Sequence, residues 1–321
     1  MKINLVLWGL GKHSINKILP AIKKSKKINL YGLFTRNQKI LSTQSKRFSC
    51  KFWKNHKSML SDNKIDVIYL ATPIGLHYKQ GKQILRSNKH LWSEKSLASN
   101  YKEVSDLVKI AKKKKLAICE AFMHLYHPIF KKVKNLIEKR YVGEITSVRF
   151  NFYCPHMKKT DWRYNKKLGG CLLDLGCYTI SSYLNLFKIN SKLYYANLQK
   201  DKFFDVDTSG SSIFISNNVL FSLNWGFGHL YENSLRIIGT KGIIIAKPFF
   251  SKPLNLIPEI NIYKNKKYKK IFFHNTNQFI RMLDNFSDTI QKRNKINNHL
   301  QKCLLQSKMI NEIILKKNLK Y

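Results

Sequence analysis

This sequence has little negative charge for its positive. Asp and Glu together number 18 against 59 Lys and Arg, a formal net charge of +41. Such an excess invites a nucleic-acid reading. Yet lysine supplies nearly all of it and is spread along the whole chain, whereas a phosphate-reading surface would be localised and richer in arginine. We read the charge as a solvated face with no dedicated nucleic-acid partner. An anionic substrate, such as a phosphorylated or nucleotide-linked sugar, is compatible with it. The six cysteines contain no C-x-x-C pair, so neither a zinc site nor a disulfide framework is indicated and a reducing cytoplasm fits. No apolar run reaches the roughly 20 residues that span a bilayer, and no signal peptide precedes the first strand, so no membrane partner is expected. Internal repeats and low-complexity linkers are lacking as well.

A chain of 321 residues with 44% hydrophobic content exceeds one ordinary core and fits two domains. The first unit is legible at the start. Ile3 to Trp8 read as a buried strand that runs into Gly9-Leu10-Gly11-Lys12-His13-Ser14, and Ile15 to Ile22 follow with helical spacing. Strand, glycine turn and helix in that order open a dinucleotide-binding fold. Gly9 permits the tight turn, Gly11 the approach of backbone to a pyrophosphate, and the helix N-terminus offers unpaired N–H groups; Ser14 replaces the third glycine. The second strand, Ile28 to Thr35, continues into Arg36. An acidic residue there would hold a ribose 2′-hydroxyl; a hydroxyl followed by a guanidinium suits a 2′-phosphate, which favours NADP while leaving NAD possible.

Asp66 to Ala71 form the next buried strand, ending in Thr72-Pro73, and His77 opens the following helix. His90 to Ser93 form a short strand before Glu94-Lys95-Ser96; a helix over Tyr101 to Lys114 and a strand over Leu116 to Cys119 complete the series. This alternation predicts an α/β fold whose N-terminal half is a doubly wound parallel sheet of Rossmann type. Ligands of such sheets lie beyond the carboxyl ends of the strands, where Gly9, Thr35, Thr72, Glu94 and Glu120 all fall.

The runs D-V-I-Y-L-A-T-P-I-G-L-H and N-K-H-L-W-S-E-K-S, from Asp66 to Ser96, resemble the glucose-fructose oxidoreductase / inositol dehydrogenase (Gfo/Idh/MocA) family of NAD(P)-dependent oxidoreductases. Asn88 stands for a usual glycine and Ser96 for the proline after the family's catalytic lysine. Glu120-Ala121-Phe122-Met123 is similar to the family's crossover segment, with Leu125 where relatives often carry arginine. Asp161-Trp162-Arg163 is followed by Leu168-Gly169-Gly170-Cys171-Leu172-Leu173-Asp174-Leu175-Gly176-Cys177-Tyr178. That run resembles the family's G-G-G-x-x-x-D-x-G-x-H/Y helix in its tyrosine form, the branch containing dimeric dihydrodiol dehydrogenase and NADP-dependent xylose dehydrogenase.

The resemblance implies a metal-free hydride transfer between nicotinamide and a hydroxyl or carbonyl carbon of a sugar-like substrate, with Lys95, Asp174 and Tyr178 as the catalytic group. It assigns cofactor contacts to Gly9, Gly11, Lys12, His13, Ser14, Thr35, Arg36, Ala71, Thr72, Pro73, His77, Glu94, Lys95 and Arg163. The chemistry is sound. Asp174 and Tyr178 are four apart, hence on one helical face. A free tyrosine titrates near ~10, and a nearby ammonium favours its phenolate. The plain alternative makes Tyr178 a core aromatic and Asp174 a charge at a helix start.

His124, His127 and His156 have no carboxylate in register and read as isolated polar histidines, not metal ligands. From Leu193 onward, strands at Leu193–Leu198, Ser211–Ile215, Val219–Trp225, Leu235–Ile238 and Ile243–Ala246 predict a large open, mostly antiparallel sheet. A lysine-rich hairpin over Ile260 to Phe273 lies at its edge. Helices over Asn277–Gln291 and Asn298–Leu315 close the chain. We therefore expect a Rossmann domain over residues 1–120 and an α+β domain over 121–321 that carries substrate contacts and assembles a homodimer or homotetramer through its sheet. The competing readings are a cofactor-binding sensor or scaffold that has lost turnover and, behind it, a basic nucleic-acid binder.

Overall fold

The structure is a computed structural model and describes residues 2–187, 191–252, 255–274, 276–293 and 295–316. It divides into two compact units: Met1–Ala121 with Phe279–Ser307, and Phe122–Gln278 with Lys308–Tyr321.

The first unit is built on a six-stranded parallel sheet of β1 (Ile3–Trp8), β2 (Ile28–Phe34), β3 (Lys51–Phe52), β4 (Val67–Leu70), β5 (His90–Ser93) and β6 (Ile118–Glu120), in the order β3-β2-β1-β4-β5-β6. That is the dinucleotide-binding order, with the reversal at β1. All four residues of β4 are buried, as a strand covered by helices on both faces requires. Asparagine side chains cap three helices, with Asn37, Asn55 and Asn100 accepting from the N–H groups of Ile40, Ser58 and Glu103 at 3.1, 2.9 and 3.0 Å. The abundance of asparagine thus has a local use.

The domain division differs from the one expected. Residues 279–307 return to the first unit instead of staying with the second half. The physical reason is a helix layer completed from the C-terminus. Phe286 packs edge-on against Trp92 with centroids 5.2 Å apart, and Leu300 and Cys303 enter the core of Val6, Leu91 and Ile118. Lys27 pairs with Asp288 at 2.6 Å, and the Ser25 hydroxyl donates to Asp284 at 2.6 Å.

The second unit holds an eight-stranded sheet of β7 (Ile145–Cys154), β8 (Lys192–Lys200), β9 (Asp207–Ser216), β10 (Val219–Phe227), β11 (Glu232–Gly239), β12 (Gly242–Lys247), β13 (Glu259–Lys264) and β14 (Lys267–Phe272). Their order is β14-β13-β12-β11-β7-β10-β9-β8. β7 and β10 pair in parallel; the other neighbours are antiparallel. One face buries Phe150, Phe214, Phe221, Leu223, Trp225, Leu235, Ile237 and Ile244. The lysine-rich strand β14 lies at an edge, as its composition suggested.

Candidate active site

At the carboxyl edge of the first sheet the backbone continues the ladder beyond the strands. Gly9 N–H donates to Phe34 O (2.9 Å), Ala71 N–H to Trp8 O (2.8 Å), Glu94 N–H to Leu70 O (2.8 Å) and Ala121 N–H to Ser93 O (2.8 Å). The glycine turn, the Thr35-Arg36 corner, Ala71-Thr72-Pro73 and the Glu94-Lys95 loop therefore line one rim. Gly9 has φ +111°, and a Cβ there would come within 2.5 Å of the Ala71 carbonyl oxygen, so only glycine fits. A Cβ on Gly11 would meet nothing within 4 Å. Ser14 is buried, which suits close packing of helix on sheet.

The helix after this turn opens at Lys12 and His13 and passes through a π turn, Ser14–Ile18, before the α-helix Leu19–Lys24, where a plain α-helix was expected. No side chain caps it and no acid lies in its first turn. Its entry carries Gly11, Lys12 and His13 on the surface. An open N-terminus of this kind, over a glycine that leaves the backbone approachable, fits a pyrophosphate. Thr35 and the exposed Arg36 follow β2 with no carboxylate at the position that would favour a bare ribose. These residues fit a dinucleotide bearing a 2′-phosphate.

The Lys95 loop is held from several sides. Glu94 accepts from the Tyr69 hydroxyl at 2.8 Å and faces His13 Nε2 at 3.2 Å. Burial alone would raise its carboxyl; His13, Tyr69 and Lys95 hold it below the usual carboxylate value. Ser96, buried beside Lys95, has its carbonyl 2.8 Å from His77 Nδ1, while His77 Nε2 lies 2.7 Å from the Thr72 carbonyl. His77 corrects two expectations. It sits one turn into the helix Ile74–Arg86, and with a backbone carbonyl close to each ring nitrogen its one N–H goes to the protein's own backbone instead of to a ligand. Burial pushes its imidazole below the usual value. The serine that replaces proline is thus firmly seated.

In the second unit, Gly170 adopts φ +118° and leads into a second π turn, Leu172–Gly176, continued by the helix Cys177–Leu186. Asp207 Oδ2 accepts the Leu172 N–H at 2.5 Å. Asp174 is buried and accepts from Arg163 Nε at 2.7 Å, and Arg163 also reaches Asp161 at 3.1 Å and lies over the Trp162 ring at 4.7 Å. Although burial works against its charge, those two carboxylates hold the guanidinium above its ordinary value. Arg163, expected at the cofactor, fixes Asp174 through Nε and reaches Asp161 through Nη1.

Tyr178 is buried among Phe122, His124, Phe152 and Phe250, with centroids 5.8, 5.2, 5.3 and 6.4 Å away, and its hydroxyl donates to the Met123 sulfur at 3.5 Å. His124 is not the isolated polar residue expected. It is fully buried in that box, with Nε2 2.9 Å from the Ser182 hydroxyl. His127 is also buried and caps the helix Pro128–Glu138 by accepting the Ile129 N–H at 3.2 Å.

The structure thus gathers Gly9 through Ser14, Thr35, Arg36, Ala71 through Pro73, Glu94 and Lys95 at one rim of the first unit, and Arg163, Asp174 and Tyr178 in the second. Sequence reasoning missed Tyr69, whose role shows only when β4 and β5 are paired. It also missed Asp207, which takes a helix N–H 35 residues before it in the chain.

The profile of the Gfo/Idh/MocA oxidoreductase family, an NAD-binding Rossmann fold, matches residues 3–122, and that of the family's C-terminal domain matches residues 130–245. A dTDP-3,4-didehydro-2,6-dideoxy-alpha-D-glucose 3-reductase of Streptomyces violaceoruber is 24% identical over 257 residues, 79% of this chain and 75% of the relative. The fold is similar to that of a 3-ketoreductase from Actinomadura kijaniata in complex with NADP and TDP-benzene, with a TM-score of 0.94, 22% identity and 98% of each chain covered. It is also similar to an aldose-aldose oxidoreductase from Caulobacter crescentus, with a TM-score of 0.91, 17% identity and 99% and 98% coverage.

Proposed function

This chain belongs to the Gfo/Idh/MocA oxidoreductase family, and from that premise we propose that it transfers a hydride between NADP and a hydroxyl or carbonyl carbon of a sugar, with a nucleotide-linked keto sugar as the favoured substrate. The reductases and ketoreductase similar to it support that substrate class. The observation that carries the cofactor reading is the uncapped, acid-free helix start above Gly9 and Gly11, with Arg36 at the end of β2.

NADP, when bound, supplies the hydride-carrying ring. Gly11, Lys12 and the N–H groups of the first helical turn hold its diphosphate, and Arg36 clamps the 2′-phosphate. Tyr178 exchanges a proton with the substrate oxygen; at rest its hydroxyl points to a thioether, a weak acceptor. Lys95 takes part in the same reaction, as the family pattern implies, since an ammonium favours a phenolate. Asp174, fixed by Arg163, orients the sugar. His13 and Tyr69 keep Glu94 ionised at the base of the Lys95 loop. In this reading the chain is a homo-oligomer formed through the outer sheet face, where exposed Leu220 and Ile215 lie in one register row and Tyr263 and Tyr268 in another.

The test is a fluorescence titration of the purified protein with NADPH and NADH, repeated on Arg36→Ala and Tyr178→Phe. Tight NADPH and weak NADH binding are expected. Arg36→Ala should weaken NADPH far more than NADH; equal losses would remove the 2′-phosphate argument. Tyr178→Phe should bind NADPH normally but reduce dTDP-keto sugars slower by a factor of ~10²–10⁴. Loss of NADPH binding in that variant would mean the tyrosine is structural.

A further inference from the structure

Glu120 ends β6 directly beside Ser93, the last residue of β5, and the Ala121 N–H donates to the Ser93 carbonyl at 2.8 Å. The strand pairing therefore sets this carboxyl at the foot of the Glu94-Lys95-Ser96-Leu97 loop. Its Oε1 accepts the Leu97 N–H at 2.9 Å, two residues beyond Lys95. The charged and titratable groups that face it are Lys95, from the loop after β5, and the Cys303 thiol, from the helix Ile296–Lys316. Glu94, by contrast, is already engaged by Tyr69 and His13. Both carboxylates at this rim feel the Lys95 charge, but only Glu120 also accepts a backbone N–H of the loop, that of Leu97.

We propose that Glu120 is a positioning residue for Lys95, anchoring the loop through Leu97 and stabilising the ammonium form of the lysine by its charge. This rests on the reading of Lys95 as a participant in turnover. Two effects follow from one side chain, and they are separable. The hydrogen bond needs only an oxygen at that place. The electrostatic support needs an ionised carboxyl, and it is present above the point where Glu120 loses its proton and absent below it. Burial pushes that point up to about 7, with the Leu97 N–H and Lys95 pulling it back down. A carboxyl that exchanges its proton near neutrality, beside the lysine expected to tune Tyr178, makes the charge around that lysine depend on pH in the working range.

The experiment is pH-dependent competitive acetylation of Lys95 in the full-length protein, read by mass spectrometry, with hydrogen exchange of the peptide containing Leu97. Glu120→Gln keeps an oxygen for Leu97 and removes the charge. Its Lys95 midpoint should fall by about one unit, so labelling at a fixed pH below both midpoints rises about tenfold, while Leu97 stays protected. Glu120→Asp keeps the charge and shortens the reach. Its midpoint should stay near that of the unsubstituted protein while Leu97 exchanges faster. A Lys95 midpoint unchanged in Glu120→Gln, or Leu97 protection unchanged in Glu120→Asp, overturns the proposal. Both measurements are made without substrate or cofactor, so they stand apart from the catalytic reading, whose own failure would appear as full turnover in Lys95→Met.

Discussion

Two helices in this protein start the same way and use the start for opposite purposes. Each follows a glycine at positive φ, Gly9 in the first unit and Gly170 in the second, and each passes through one π turn near its start before continuing as an α-helix. Such turns are rare and concentrate at functional sites. At Ser14–Ile18 the start carries no acid and no capping side chain, and Lys12 and His13 stand exposed at its mouth. At Leu172–Gly176 the same positions are filled from within: Asp207 takes the Leu172 N–H, and Asp174 lies in the first turn on Arg163. A helix N-terminus favours negative charge wherever it occurs. The first unit places no acid there; the second answers the preference with its own carboxylates, Asp207 and Asp174.

The comparison breaks most visibly at the glycines. Gly9→Ala would drive a Cβ to within 2.5 Å of Ala71 O at φ +111°, so thermal unfolding should show lost stability and NADPH affinity should fall at least ~100-fold. Gly11→Ala meets no protein atom within 4 Å; it should unfold like the parent yet bind NADPH more weakly. If it bound normally, no backbone approach to the diphosphate would occur there.

In the second unit the effect moves from binding to stability. Arg163→Met keeps bulk but removes the charged hydrogen bond to the buried Asp174 carboxylate, and urea unfolding should show a loss of about 2 kcal/mol with NADPH affinity unchanged. A selective loss of NADPH affinity would instead return Arg163 to the cofactor.

The smallest effect concerns protons. His77 in the first unit and His124 in the second are buried, and burial pushes both below the usual imidazole value. An unfolded chain takes up protons near ~6.5 that the folded one refuses. Their stability contribution is therefore full above that pH and lost as pH falls, by up to ~1.4 kcal/mol per pH unit for each histidine. Unfolding free energies between pH 7.5 and 5.5 should fall accordingly, and His77→Asn should flatten the slope. An unchanged slope would mean His77 carries its proton in the folded state.

The strands could be read because their signal is local. Val67 to Leu70 form an uninterrupted buried run, and the lysines of β14 mark an edge. Two-residue β3 carries no period to detect. The π turns escaped because four-residue spacing looks alike in either helix until the hydrogen bonds are seen. The return of residues 279–307 was hidden because an amphipathic helix announces that it has a partner but not which sheet supplies it.

The amino-acid order alone determined the dinucleotide fold, the glycine turn, the Thr35-Arg36 corner after β2 and the motif bearing Asp174 and Tyr178. Each is a pattern held within a few neighbouring residues, where backbone propensity and side-chain period act directly. Tertiary structure alone decided which charge answers which. Arg163 took Asp174 across 11 residues, Asp207 took Leu172 across 35, and Glu120 took Leu97 across 23. Those pairings depend on which groups folding brings to within 3 Å and dries, and no local period encodes that.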